Sequence, residues 1–356
     1  MSGASTSRRR LPSWRRLVAI GVGIAVVAAT FAYFLPQIAS YPDVWDVVEG
    51  LSWQWIVALA AATVLNVATF APPWMVALPG LAFRQALVMT QASTALSIVV
   101  PGGAAVGMAG SFAMLRSWGF AGAPVGRAVT LAGVWNQLAN LTFPIVGLFI
   151  LNIEGETHAL LSTAAFVGVA VVGVVAAGLV LVLYSEGLAR DIGEVTVRVV
   201  GWAKARLRRR APVRFTPESF VGFRNETVDL LRRRWLALTL ATLAGHLTVF
   251  LVLVVSLRAL DVSAEEVSLG EAFAGWSLVR LLGAIPITPG GFGIIELGLT
   301  GALVAFGGTN AGVVAAVLVY RFLTVVPTLV LGLLAAATWR HHDPEAGGEA
   351  ADPPDG

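Results

Sequence analysis

Long apolar runs alternate with short polar breaks along nearly the whole chain. Six runs, at 17–35, 53–78, 128–151, 159–184, 235–257 and 311–339, approach or exceed the ~20 residues a helix needs to cross a bilayer. Two further stretches, 85–127 and 272–307, read differently. In each, apolar arms of about fifteen residues flank a Pro-Gly-Gly break, Pro101-Gly102-Gly103 or Pro289-Gly290-Gly291. Arms of that length are short for a full span, so both stretches are read as re-entrant hairpins. The pattern predicts an all-α polytopic membrane protein with about six full spans and two hairpins.

Composition removes the alternatives. Of 356 residues, 57% are hydrophobic and 13% charged, about half the charge of a soluble domain. A water-soluble fold has too few polar side chains here to cover its exterior. Cysteine is absent, which excludes disulfides and thiolate chemistry. The charges set a topology. Arg8, Arg9, Arg10, Arg15 and Arg16 precede the first run, and twelve of the 24 basic residues lie in 190–234. Basic residues collect on the cytoplasmic side, so both termini are expected inside a cell (plasma) membrane. Asp43, Asp46, Glu49, Glu154, Glu156, Asp261, Glu265, Glu266 and Glu271 fall in the loops this places outside.

The domains follow: a basic N-terminus (1–16), one transmembrane domain (17–340) and a disordered acidic tail (341–356). Within 185–234, Leu188, Ile192, Val195, Val199 and Trp202 form an apolar stripe at helical spacing. The string Thr216-Pro217-Glu218 looks like the start of a second surface helix. An arginine-rich amphipathic stretch suits anionic inner-leaflet headgroups; a solvated linker is the bland alternative, and no nucleic-acid partner is expected.

The two hairpin stretches look like an internal repeat. Repeat one covers about 53–151 and repeat two about 235–339. An apolar arm begins at Gln85-Ala86 or Glu271-Ala272, the Pro-Gly-Gly turn follows, and then a helix carries Pro144 with Gly147 or Pro327 with Gly332. The turn proline precedes the helix proline by 43 residues in one block and 38 in the other. The loop charges turn the blocks in opposite directions, and inverted repeats with broken helices are a transporter architecture.

The most specific string is Ile287-Thr288-Pro289-Gly290-Gly291-Phe292-Gly293-Ile294-Ile295-Glu296, followed by Tyr320-Arg321-Phe322 and Pro327. With these residues the chain, over roughly 15–340, resembles the transmembrane, flippase-like region of the lysylphosphatidylglycerol synthase family. The resemblance is strong in the second half and weaker in the first. There many members carry an acid after the proline, where this chain reads Gly102-Gly103-Ala104-Ala105. No aminoacyl-transferase domain follows, as in the stand-alone members. The resemblance implies lipid or glycolipid translocation between leaflets.

Ionisable side chains at membrane depth are functional candidates by default. Arg280, Glu296 and Arg321 stand out, with Arg280 and Glu296 about 6 Å apart in level if the hairpin arms run antiparallel. Their net positive charge suits a phosphate headgroup, with Glu296 holding an arginine or carrying a proton. A buried ion pair that only fixes the hairpin is the alternative. The substrate-binding candidates are Arg280, Glu296, Arg321, the turn glycines Gly290, Gly291, Gly293, Gly102 and Gly103, and the polar pair Asn136 and Gln137. Asn140, Gln91, Ser93, Thr94 and Ser97 are secondary, and His246 reads as a core histidine. No metal, cofactor or catalytic constellation is expected. The expected function is transport of an anionic phospholipid or lipid-linked headgroup, with no enzymatic activity; a membrane-embedded enzyme or accessory acting on polyprenyl-phosphate or aminoacylated lipids is the rival. Homo-oligomerisation stays open.

Overall fold

A computed structural model describes residues 49–99, 103–155, 159–206, 217–283 and 289–338. The predicted first span, the N-terminal arginines, Pro101, Gly102, Thr216 and the tail from 341 lie outside these residues. The described residues are helical throughout: α1 (Trp53–Thr69), α2 (Pro72–Ala77), α3 (Phe83–Val99), α4 (Gly103–Ser117), α5 (Gly122–Glu154), α6 (Ala159–Tyr184), α7 (Glu186–Arg206), α8 (Pro217–Ala259), α9 (Leu269–Gly283), a 3₁₀ turn (Pro289–Gly291), α10 (Ile294–Ala305) and α11 (Asn310–Thr338). Four stretches are long and apolar enough to cross a membrane: Trp53–Ala77, Gly122–Ile153, Phe220–Ala259 and Asn310–Ala335. A bent pair in α6 and α7 could supply a fifth. The protein is a multi-pass helical membrane protein.

One expectation changes. The surface helix expected to start near Thr216 is not a separate element. It is the beginning of α8, one continuous helix of 43 residues and ~65 Å. Its sequence has no Gly-Pro break between Pro217 and Trp235, so nothing stops helical hydrogen bonding from running into the span. Between the 159–184 run and the amphipathic stripe that follows it the chain turns: Gly168–Leu181 and Glu186–Thr196 meet at 90°.

Arms α3 and α4 pack together, as do α9 and α10. Gly298 faces Val279 and Gly275 faces Ala302, a descending pairing that makes α9 and α10 antiparallel. The arms start alike. The Gln85 side chain accepts a hydrogen bond from the Ala82 N–H at 3.1 Å, and Glu271 accepts one from the Ser268 N–H at 2.7 Å. Both are side chains three residues into a helix satisfying an otherwise orphaned donor. The polar-Ala pairs of the repeat are therefore helix-start signals.

The two blocks cross over each other. Arm α3 packs on α11 of the other block, and arm α9 packs on α5. Ala86, Met89 and Ala92 share a core with Ala335, while Ala95, Ile98 and Val99 meet Val325 and Leu329; α3 and α11 thus run antiparallel. On the other side Phe143 packs on Phe273 and Trp276 and Gly147 on Ala274, so α5 and α9 are antiparallel too. Each long helix runs parallel to the first arm of its own hairpin. The blocks must therefore point in opposite directions.

The glycines after the helix prolines permit this crossing. A Cβ at Gly147 would meet Ala274 Cα at 2.7 Å and Ser277 Oγ at 2.9 Å; one at Gly332 would overlap Ala95 Cβ and approach the Gln91 carbonyl oxygen at 2.8 Å. Small residues let helix backbones approach closely in lipid, where packing replaces the hydrophobic effect. One apolar core collects around Phe143, Phe250, Phe273 and Trp276. A second collects around Leu78, Met89, Leu115 and Trp118.

Candidate functional site

A cavity of about 320 Å³ lies where the blocks meet. Its lining draws on α1 (Asn66), α3 (Gln91, Thr94), α5 (Asn140), α9 (Arg280) and α11 (Arg321) among others. Both hairpins and both long helices reach it. Pro-Gly-Gly turns and polar side chains at such depth need protein or a wet cavity around them, and Gly290 sits on the cavity wall.

The second turn is built by its glycines and locked by one ion pair. Gly290 (φ +61°), Gly291 (φ +69°) and Gly293 (φ +81°) occupy the left-handed region, which side-chain-bearing residues avoid. At Gly290 a Cβ would also press on Ile98 and Phe292 at 3.0 Å. Glu296 is 2% exposed. Its Oε2 accepts from the Gly293 N–H at 2.7 Å and its Oε1 from Arg321 Nε at 2.6 Å. Arg321 Nη2 donates on to the Gly290 carbonyl at 3.1 Å, and the guanidinium lies 5.1 Å from the Phe292 ring centre. Charge-assisted bonds of this kind are the strong ones. Glu296 caps α10, and Arg321 ties the turn to α11.

Arg280 has a different environment. Its Nη2 donates to Asn140 Oδ1 at 3.3 Å and bonds His246 Nδ1 at 3.1 Å. The guanidinium stacks over Trp276 at 4.9 Å; that ring is one helical turn earlier on α9, the i, i+4 spacing that places side chains on one face. Among the described residues no carboxylate pairs with it. Glu296 holds an arginine, as the sequence suggested, but that arginine is Arg321. The Glu296–Arg321 pair is neutral overall, so the positive charge of the site rests on Arg280.

The other candidates divide. Gly290 lines the cavity with Arg280 and Arg321. Gly291 and Gly293 shape the turn, and Gly103 opens α4, buried at its start. Asn136 and Gln137 do not line the cavity; Asn136 and Asn140 both donate to Gln137 Oε1 at 3.4 Å, and Gln137 is exposed. From the sequence His246 reads as a core histidine. It is 1% exposed, its ring edges meeting Phe70 and Phe143, yet it also holds Arg280. A lone histidine in an apolar span was the only signal for it. Tyr320 and Gln91 also line the cavity; the Tyr320 hydroxyl accepts from Trp276 Nε1 at 3.2 Å, and Gln91 Oε1 is buried with no protein partner.

No curated protein matches the chain significantly. The family described as "Lysylphosphatidylglycerol synthase TM region" matches residues 16–332, a stretch that contains both Pro-Gly-Gly breaks, the residues that line the cavity, and Arg280, Glu296 and Arg321. The chain belongs to the lysylphosphatidylglycerol synthase transmembrane-region family.

Proposed function

We propose that the protein moves an anionic phospholipid or lipid-linked headgroup between the leaflets of the cell membrane. The observation that carries this reading is Arg280, a cation with only neutral protein partners on the wall of a cavity between two oppositely directed blocks. A headgroup phosphate supplies the anion that the protein itself withholds, since Arg binds phosphate through paired donors. The apolar walls, among them Val279, Ile295 and Leu299, suit the start of the acyl chains. The hairpin arms of 12–17 residues reach ~18–25 Å, less than the ~30 Å hydrocarbon core. They enter and leave on one side, α3–α4 from the cytoplasm and α9–α10 from outside. Rocking of one block against the other then exposes the cavity to each leaflet in turn.

The basic end supports one orientation. Arg84 and Arg116 lie at the open end of the first hairpin, and Arg127 at the start of α5 pairs with Glu226 on α8. Asp261, Glu265 and Glu266 follow the far end of α8. The positive-inside rule places the first end in the cytoplasm. On that side α7 turns at a right angle to α6, with Leu188, Val195 and Trp202 exposed along one stripe and Gly193 buried near the opposite face. This helix lies on the anionic inner leaflet, its stripe in the interface.

Both Glu296 oxygens are engaged, by Gly293 and Arg321, which favours transport over acid–base chemistry. The test is a leaflet-exposure assay with purified protein in vesicles holding a trace of fluorescent phosphatidylglycerol and a membrane-impermeant quencher. Wild type should let the quencher reach nearly all the dye, beyond the outer half. Arg280→Gln should slow this about tenfold or more, the worth of a bond to a charged group. Unaltered flipping by Arg280→Gln would overturn the site. A change in lipid mass would assign an enzyme instead.

A further inference from the structure

The geometry points to a second subsite in the cavity, at Gln91 on arm α3, that takes a hydroxyl of the headgroup. The inference rests on the anion site proposed above and names the class of headgroup that site serves. The polar residues of α3 sort by position. Thr90, Ser93 and Ser97 donate to carbonyls of their own helix, and none of the three lines the cavity. Gln91 and Thr94 line it together with Ile98, at the three- and four-residue spacing of one helix face. Gln91 is 4% exposed, and its Oε1 is buried with no hydrogen-bond partner among the described residues. A buried polar group left unpaired is costly. The protein supplies Gln91 with nothing, so its partner comes from the cavity.

The rest of the lining narrows the ligand. Asn66, Asn140, Arg321, Thr324 and Thr328 each hydrogen-bond within the protein already. Against these stand Arg280, which has no carboxylate partner among the described residues, and Gln91. They come from different hairpins, α9–α10 and α3–α4. The cavity, at about 320 Å³, is at the low end of ligand pockets, ~300–1,000 Å³. It suits a headgroup and not a whole lipid, so one headgroup reaches both residues. A carboxamide donates and accepts, as a hydroxyl does. An ammonium headgroup only donates, and it would bring a second cation to a cavity that already holds Arg280. A phosphodiester without a hydroxyl would leave Gln91 unpaired. The matching class is a phosphodiester lipid with a polyol headgroup, glycerol or sugar, its phosphate on Arg280 and a hydroxyl on Gln91.

The experiment titrates the full-length protein in detergent, by calorimetry, with two short-chain lipids. Dihexanoylphosphatidylglycerol and dihexanoylphosphatidylmethanol are phosphodiesters of the same charge and acyl chains, and the second has no headgroup hydroxyl. Wild type should bind the glycerol lipid about tenfold more tightly, the worth of a hydrogen bond that also relieves a buried orphan. Gln91→Leu keeps the bulk of the side chain and removes the amide. It should bind both lipids alike, with the affinity wild type shows for phosphatidylmethanol. Gln91→Met serves as a second apolar replacement if the leucine variant does not fold. Equal wild-type affinity for the two lipids overturns the inference while leaving the anion site intact; Gln91 is then served by water. A preference for the glycerol lipid that survives in the apolar variant overturns the assignment to Gln91. Absence of saturable wild-type binding to either lipid removes the anion site, and the hydroxyl subsite with it.

Discussion

Hairpin α3–α4 carries Gln91, Ser93, Thr94 and Ser97 on its first arm, where hairpin α9–α10 carries Arg280 and, on its second arm, Glu296. Of the first set, the Ser93 and Ser97 hydroxyls donate within their own helix to a carbonyl three or four residues earlier, the back-bonding that costs a helix little, and Gln91 Oε1 is buried without a protein partner. The charges of the second set find their partners across helices, through Arg321 of α11, Asn140 of α5 and His246 of α8, with Glu296 also capping its own helix. The two hairpins share capped starts, a glycine-bearing break and reciprocal crossing of the opposite block. Architecture is thus repeated while charge is not, and the cavity between two similar halves is electrically one-sided. An asymmetric cavity can grip a headgroup from one wall and leave the other wall polar but uncharged.

The largest expected effect breaks the charged half. Glu296→Ala leaves Arg321 buried without its counter-ion and Gly293 N–H without an acceptor; it should cost about 3–5 kcal/mol, read as a fall in the denaturation midpoint of the detergent-solubilised protein. Adding Arg321→Met should recover part of that loss, because the uncompensated charge goes with it. Full additivity of the two changes would argue that the pair does not act as a unit.

Smaller effects test the shared half. Gly147→Val and Gly332→Val place side chains where each block crosses the other. Each should cost about 1–3 kcal/mol in the same unfolding measurement. Similar losses would sharpen the symmetry; a loss at one position alone would break it. The smallest effect is expected at Gln137→Ala. Its side chain is exposed and its bonds are long, so stability should move by no more than about 0.5 kcal/mol, with flipping in the leaflet assay unaltered.

Much of the architecture was legible because its signals are local. Run length reports the spans, Pro-Gly-Gly reports the breaks, and a polar residue three positions into an arm reports a cap. The start of α8 misled for the same reason: a capping string marks where a helix begins but not where it ends, and the absence of a breaker before Trp235 carried the information. The right-angle bend between α6 and α7 has no sharp sequence marker beyond Ser185-Glu186-Gly187.

By itself the sequence determined the class of the protein, the two Pro-Gly-Gly stretches and the identity of the charges Arg280, Glu296 and Arg321 in apolar surroundings, since hydrophobic length, spacing and charge placement are properties of short segments. Only the tertiary structure decided which charge pairs with which. Arg280 is 34 residues from His246 and 140 from Asn140, and Glu296 is 25 from Arg321. Partners that far apart in the chain meet through the rotation of each helix about its axis and the close crossings at Gly147 and Gly332. Those depend on the packing of all the helices at once. That packing neutralised Arg321, left Arg280 to face the cavity, and brought a histidine from an apolar span to within a hydrogen bond of it.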